Sequence, residues 1–219
     1  MFSIVKNLAR AGTLSTLFAL IVVSSAPAQD TFQIGRGGQN IAQQCYAPSS
    51  IDPNYVIAIC TRAINDTPMG SEPWPYATRA VAYIHLGKYQ DALDDLNNAI
   101  SNARKGYHYL PDFYGYRCFV QLNRGKTQEA LDDCNAALKL RADDPNALDF
   151  RGDVEYRMGD YTAAIADFDT ALKSEPNNTG ALYVRGLARE KAGDPTGGKA
   201  DVAEALAKNP QIAKDYPTF

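Results

Sequence analysis

Residues 147–172 read ALDFRGDVEYRMGDYTAAIADFDTAL, and residues 181–206 read ALYVRGLAREKAGDPTGGKADVAEAL. Laid one over the other they share an opening Ala-Leu, an Arg-Gly four residues on, a glycine at the middle, an aspartate and a closing Ala-Leu. The same plan underlies residues 75–100, PYATRAVAYIHLGKYQDALDDLNNAI, and residues 113–138, FYGYRCFVQLNRGKTQEALDDCNAAL. The midpoint glycines are Gly87, Gly125, Gly159 and Gly193; the last three stand 34 apart and the first interval is 38, the four extra residues falling in SNARKGYHYLPD (101–112). A fixed period of this length marks a repeated supersecondary unit. A single helical hairpin cannot bury its apolar face, so such units stack and share a core, and about three are needed for stability.

The 34-residue period and the placing of small residues resemble the tetratricopeptide repeat family over roughly residues 73–210. That family keeps small side chains where its paired helices touch. The matching positions here are Ala80, Cys118, Gly152 and Gly186 on the first helix, and Ala92, Ala130, Ala164 and Gly198 on the second. Ala99, Ala137, Ala171 and Ala205 follow, and larger residues, Leu96, Cys134, Phe168 and Val202, fill the gaps between. The resemblance, to the exported bacterial type, implies an all-α fold: a right-handed superhelical array of antiparallel helix pairs. On this reading residues 73–106, 111–144 and 145–178 are three full repeats. Residues 179–210 are a fourth, degenerate one, with Gly197 and Gly198 inside its second helix, where each glycine costs about 1 kcal/mol relative to alanine. Residues 40–66 read as an N-terminal capping half-repeat and 211–219 as a C-terminal cap.

One regularity goes beyond the family outline. Arg79, Arg117, Arg151 and Arg185 each have an aspartate sixteen residues later: Asp95, Asp133, Asp167 and Asp201. Sixteen residues carry the chain across the turn and back. The spacing therefore predicts an arginine–carboxylate pair inside every hairpin, bidentate where geometry allows. Such a pair sets register more than it adds net stability, because desolvation offsets most of the attraction.

The chain begins MFSIVKNLARAG, with Lys6 and Arg10 and no acid, and continues through a short apolar run to Ala26-Pro27-Ala28. These are the parts of a secretory signal peptide, read as residues 1–28 with cleavage after Ala28. The apolar core, Leu14 to Val23, is about half the ~20 residues a membrane span needs, so no stable membrane insertion is expected after cleavage. Residues 29–39 read as a loose N-terminus. A periplasmic or secreted protein follows. The four cysteines, Cys45, Cys60, Cys118 and Cys134, all lie beyond the signal, and an even count in an oxidising compartment points to two disulfides. Three connectivities are open to sequence alone. Cys45–Cys60 and Cys118–Cys134 are favoured: the first two are local to the N-terminal cap, and the last two occupy positions that the repeat plan makes neighbours.

Chemistry-bearing constellations are sparse. There are two histidines, no His-x-x-x-His, no Cys-x-x-Cys and no Gly-x-Ser-x-Gly. Gly193 to Lys199 spell a Gly-x-x-x-x-Gly-Lys, but Ala200 stands where a phosphate loop needs a hydroxyl, and no strand precedes it. Neither catalytic nor metal-binding residues are assigned, and no cofactor. A formal net charge of −3 without a basic stripe argues against nucleic acid.

The resemblance further implies that first helices line a concave groove. Carried over by register, the groove residues are Trp74, Val81, Ile84 and His85 from the first repeat and Phe119, Leu122 and Asn123 from the second. Asp149, Asp153, Tyr156 and Arg157 come from the third, and Tyr183 from the fourth. The expected role is a protein–protein interaction scaffold in the cell envelope, holding a partner peptide or protein whose ends are apolar and polar. The alternative is a non-catalytic subunit of a secreted or periplasmic enzyme or secretion complex. The sequence leaves oligomeric state open.

Overall fold

The structure is a computed structural model, which describes residues 41–46, 52–66 and 72–216. The segments read as signal peptide (1–28) and loose N-terminus (29–39) lie outside the described residues. Those described contain eleven helices and no strand: α1 (Ile41–Tyr46), α2 (Pro53–Asp66), α3 (Pro73–His85), α4 (Tyr89–Asn102), α5 (Leu110–Asn123), α6 (Thr127–Leu140), α7 (Pro145–Met158), α8 (Tyr161–Ser174), α9 (Thr179–Lys191), α10 (Pro195–Lys208) and α11 (Ile212–Asp215).

The helix breaks have local causes. The glycines that end the first helix of each pair hold positive φ, 67° at Gly87, 74° at Gly125, 84° at Gly159 and 94° at Gly193, which a residue with a Cβ adopts only at a cost. Beyond each glycine the next amide folds back onto the helix it has left. Lys88 N donates to Tyr83 O, Lys126 N to Gln121 O, Asp160 N to Glu155 O and Asp194 N to Arg189 O, at 2.9 Å in every case. These bonds satisfy carbonyls that the helix end would otherwise leave open. At the N-termini proline opens α3, α5, α7 and α10 in the first turn, where its missing N–H costs nothing. From α7 to α10 an Asx side chain also caps the helix: Asp144, Asp160, Asn178 and Asp194 accept from the backbone amides two or three residues on. Helices α3 to α6 have no side-chain cap.

The described residues fall into two compact units, 41–105 and 106–216. In the first, α1 packs on α2 and α3, α2 on α3, and α3 on α4. Its core joins Cys45, Val56, Ile59, Cys60, Ala63 and Ala82, with Trp74 against it. The Cys45–Cys60 disulfide ties α1 to α2 with Cα atoms 4.9 Å apart. In the second unit α5 pairs with α6, α7 with α8 and α9 with α10, while α6 packs on α7, α8 on α9, and α11 on α9 and α10. Cys118–Cys134 closes the α5–α6 pair, Cα atoms 5.3 Å apart.

Small residues let the rods approach. Ala80, Ala92, Ala99, Cys118, Ala130, Ala137, Ala164 and Ala205 are fully buried, and Ala171 nearly so. A Cβ added at Gly152 would lie 2.8 Å from the Phe168 ring. One at Gly186 would lie 2.8 Å from Gly198 O, and one at Gly198 2.6 Å from Gly186 O. The α7–α8 pair is thus spaced by an aromatic ring, and the α9–α10 pair by bare backbone. The C-terminal core spans Ala164, Phe168, Leu172, Leu182, Val184 and Ala205, closed by Ile212 and Tyr216 of the last helix and its exit.

Candidate partner-binding faces

The helix faces are held in register by four arginines. Arg79 donates to Asp95 from Nε at 2.8 Å and Nη2 at 2.7 Å. Arg117 does the same to Asp133 at 2.8 and 2.6 Å. Arg151 reaches Asp167 at 2.6 and 2.9 Å, and Arg185 reaches Asp201 at 2.7 and 2.8 Å. All four are fork-on-fork pairs, the strong geometry for arginine and carboxylate. Burial pushes the Asp95 and Asp133 carboxyls above the usual range, and the guanidinium hydrogen bonds pull against it. The hydrogen bond to Asp95 holds Arg79 above its ordinary value, and that to Asp167 does so for Arg151.

The third nitrogen does something the spacing did not announce. Nη1 of Arg79 donates to Thr61 of α2 at 2.8 Å, Nη1 of Arg151 to Asn135 of α6 at 3.0 Å, and Nη1 of Arg185 to Asp169 of α8 at 2.7 Å. One side chain therefore joins its own hairpin to the preceding helix. A signal was available: the residue two beyond each paired aspartate is Asn97, Asn135 and Asp169, then Ala203 in the last hairpin.

The groove candidates of the first unit all lie on α3. Val81 and Ile84 are buried, and Trp74 and His85 are half-buried. Trp74 stands edge-on to Tyr46, ring centres 5.5 Å apart. Burial lowers the His85 pKa.

In the second unit the first helices run side by side, α5 on α7 and α7 on α9. Phe119 and Leu122 are fully buried, and Phe119 packs 5.3 Å from Phe150. Asn123 Nδ2 donates to Phe119 O at 2.8 Å, and Arg157 Nη1 donates to Leu122 O at 3.2 Å. The structure thus gathers Leu122, Asn123 and Arg157 where α5 ends. Asp149 and Asp153, one turn apart on α7, are 1% and 3% exposed. Tyr156 is half-buried and packs against Tyr161, ring centres 5.6 Å apart, and burial raises its pKa. Tyr183 packs against Tyr216 at 5.8 Å.

A further cluster escaped the periodic reading because it occurs once. Arg141, just past α6, bonds Asp144 at 2.7 Å, Asp112 at 3.2 Å and the His108 carbonyl at 3.2 Å. It ties the start of α5 to the cap of α7. Burial raises the Asp112 carboxyl, opposed by Arg141. Among the described residues no three His, Cys, Asp or Glu side chains converge as a metal site needs, and no helix is long and apolar enough to cross a membrane.

Comparison with known proteins places this architecture. Residues 151–213 match the tetratricopeptide repeat family model. No curated protein sequence matches the chain. Several solved structures share the fold. A structure of MamA is 18% identical, with a TM-score of 0.62 over 81% of this chain and 99% of that one. YrrB, described as a tetratricopeptide protein with an unusual peptide-binding site, is 16% identical, with a TM-score of 0.56 over 74% of this chain and 81% of its own. The C-terminal part of a repeat-containing protein from Cytophaga hutchinsonii is 18% identical, with a TM-score of 0.57 over 75% and 62%.

Proposed function

We propose, from the premise that this is a tetratricopeptide-repeat protein, that it is an exported scaffold which holds an extended segment of another protein on its first-helix faces and performs no chemistry itself. The observation that carries the reading is the side-by-side packing of α5, α7 and α9. It makes the outward register of three helices one continuous face. Half-buried Tyr156 and Arg157 offer an aromatic and a cationic contact there, and buried Asp149 and Asp153 give α7 an acidic interior. Aromatic and arginine side chains in partly desolvated settings carry much of the energy in such contacts. The peptide-binding site named for YrrB supports the reading by analogy of fold.

The partner segment that fits α7 has a Lys or Arg beside apolar residues. A carboxylate with little exposure interacts with a cation more strongly than one in water. On α3 of the first unit, Trp74 and His85 form a second, mainly apolar contact face. Export is supported by the two disulfides, which persist in an oxidising compartment. Cell-envelope location and the absence of a cofactor belong to the same proposal.

Panning the purified protein against a library of random dodecamer peptides tests it. Retained peptides are expected to be enriched in Lys or Arg next to apolar residues. Tyr156→Ala is expected to weaken their binding about tenfold, the worth of one aromatic contact. Retention no better than background, or equal binding by wild type and variant, sinks the reading.

A further inference from the structure

The residue four beyond the paired arginine differs in chemistry in every hairpin: Tyr83, Gln121, Glu155 and Arg189. It is also the residue whose carbonyl accepts the amide that closes the turn. In the first hairpin the Tyr83 ring lies 5.9 Å from the Arg79 guanidinium carbon. In the fourth, Arg189 adds a second cation to Asp201 at 3.0 Å and approaches Asp169 at 3.4 Å. The third hairpin has the opposite charge there.

Glu155 Oε1 lies 3.7 Å from Arg151 Nε, the same nitrogen that donates to Asp167 at 2.6 Å. Two carboxylates therefore compete for one N–H, and Asp167 holds it. The Glu155 side chain is 15% exposed, and its Oε2 is buried with no hydrogen-bond partner. A buried carboxylate oxygen with no donor is costly when charged and tolerable when protonated, and a protonated one can donate to Asp167.

We propose that Glu155, wedged against the Arg151–Asp167 pair at the closing turn of the α7–α8 hairpin, is a pH-operated latch: protonated it fastens the turn, and ionised it loosens the end of α7. The charged groups around it are few. Arg151 stands on its own helix, and Asp167 and Asp160 on or beside α8; both acids repel the ionised form. On the α9 side, Arg185 and Arg189 are engaged by Asp201 and Asp169. On the α6 side, neutral Asn135 takes the Arg151 Nη1, while Asp133 is held by Arg117. Burial, then the Asp167 charge, push the Glu155 carboxyl up to about 7 from 4.5, with Arg151 pulling the other way. A carboxyl raised on folding binds its proton more tightly in the folded hairpin. Its support is complete below the unfolded value, and it is lost as pH rises through about 7. The latch moves the C-terminal turn of α7, which carries Tyr156 and Arg157. On the reading under Proposed function, the partner face would loosen with it; the latch itself does not require that reading.

Amide hydrogen exchange of the full chain, as protection factors corrected for intrinsic rates, tests this at pH 5.5 and pH 8. Amides of residues 156–164 in wild type are expected to lose about tenfold protection at the higher pH, and Glu155→Gln to lose little. Equal losses in wild type and variant overturn the latch. Should Glu155→Gln fold poorly, the side-chain carboxyl resonance of Glu155 in wild type answers the same question. A titration midpoint near neutrality supports the latch, and one near 4.5 ends it.

Discussion

The third and fourth hairpins, α7–α8 and α9–α10, share one plan and solve it with opposite materials. In the third, Gly152 faces the fully buried Phe168 ring, and a lone arginine meets two carboxylates. In the fourth, Gly186 and Gly198 bring backbone against backbone, and two arginines meet Asp201 and Asp169. The period fixes where groups meet and leaves open how much charge and volume each meeting point holds. One hairpin is filled by a ring and carries excess acid; the other is closed by contact and matches two cations with two carboxylates.

The largest difference is expected in the fill. Phe168→Ala empties a fully buried site and should cost about 4 kcal/mol. Val202→Ala, at the same register but partly exposed, should cost under about 2 kcal/mol. Urea midpoints at constant slope check both, and equal costs would erase the distinction. Next comes the charge balance. Arg151→Ala strips Asp167 of the cation it is bonded to and should cost about 3 kcal/mol. Arg185→Ala leaves Asp201 with Arg189, so about half that loss is expected. A double-mutant cycle of Arg185 and Arg189 should then show coupling of about 1 kcal/mol or more, and strict additivity would count against shared duty. The smallest effect concerns what the hairpins have in common. Asp160→Ala and Asp194→Ala each remove a side-chain cap from the second helix and should lower stability by about 1 kcal/mol, equally in both. Thermal midpoints check this.

The periodic features were legible in the sequence because they are written four times. Small residues at 34-residue spacing gave the hairpins, and sixteen-residue Arg–Asp spacing gave the pairs across each turn. Cys118 and Cys134 sit in two of those small-residue and filler positions. Features that break the period were not legible. Arg141 bridges Asp112, Asp144 and a carbonyl only once, across an inserted linker, so no alignment of repeats exposes it. Glu155 was hidden for the converse reason: its register is occupied in every repeat, by a different chemistry each time. The faces were legible as register but not as burial. Phe119 and Leu122, which register puts on the first-helix face, have no exposed surface, whereas Tyr156 and Arg157 keep some. Helical spacing says which way a side chain points from its own axis and nothing of what is packed above it.

The third nitrogen of the paired arginines gives the array a direction. Arg79, Arg151 and Arg185 each reach backward to an acceptor on the helix before, and never forward. Each of these three modules thus brings its own connector and takes a receptor from the helix before it. The fourth module carries Ala203 where a receptor would stand. A module stacked on the fourth would therefore meet a junction missing one polar bond, and Ala203→Asn is the single change that would supply its receptor.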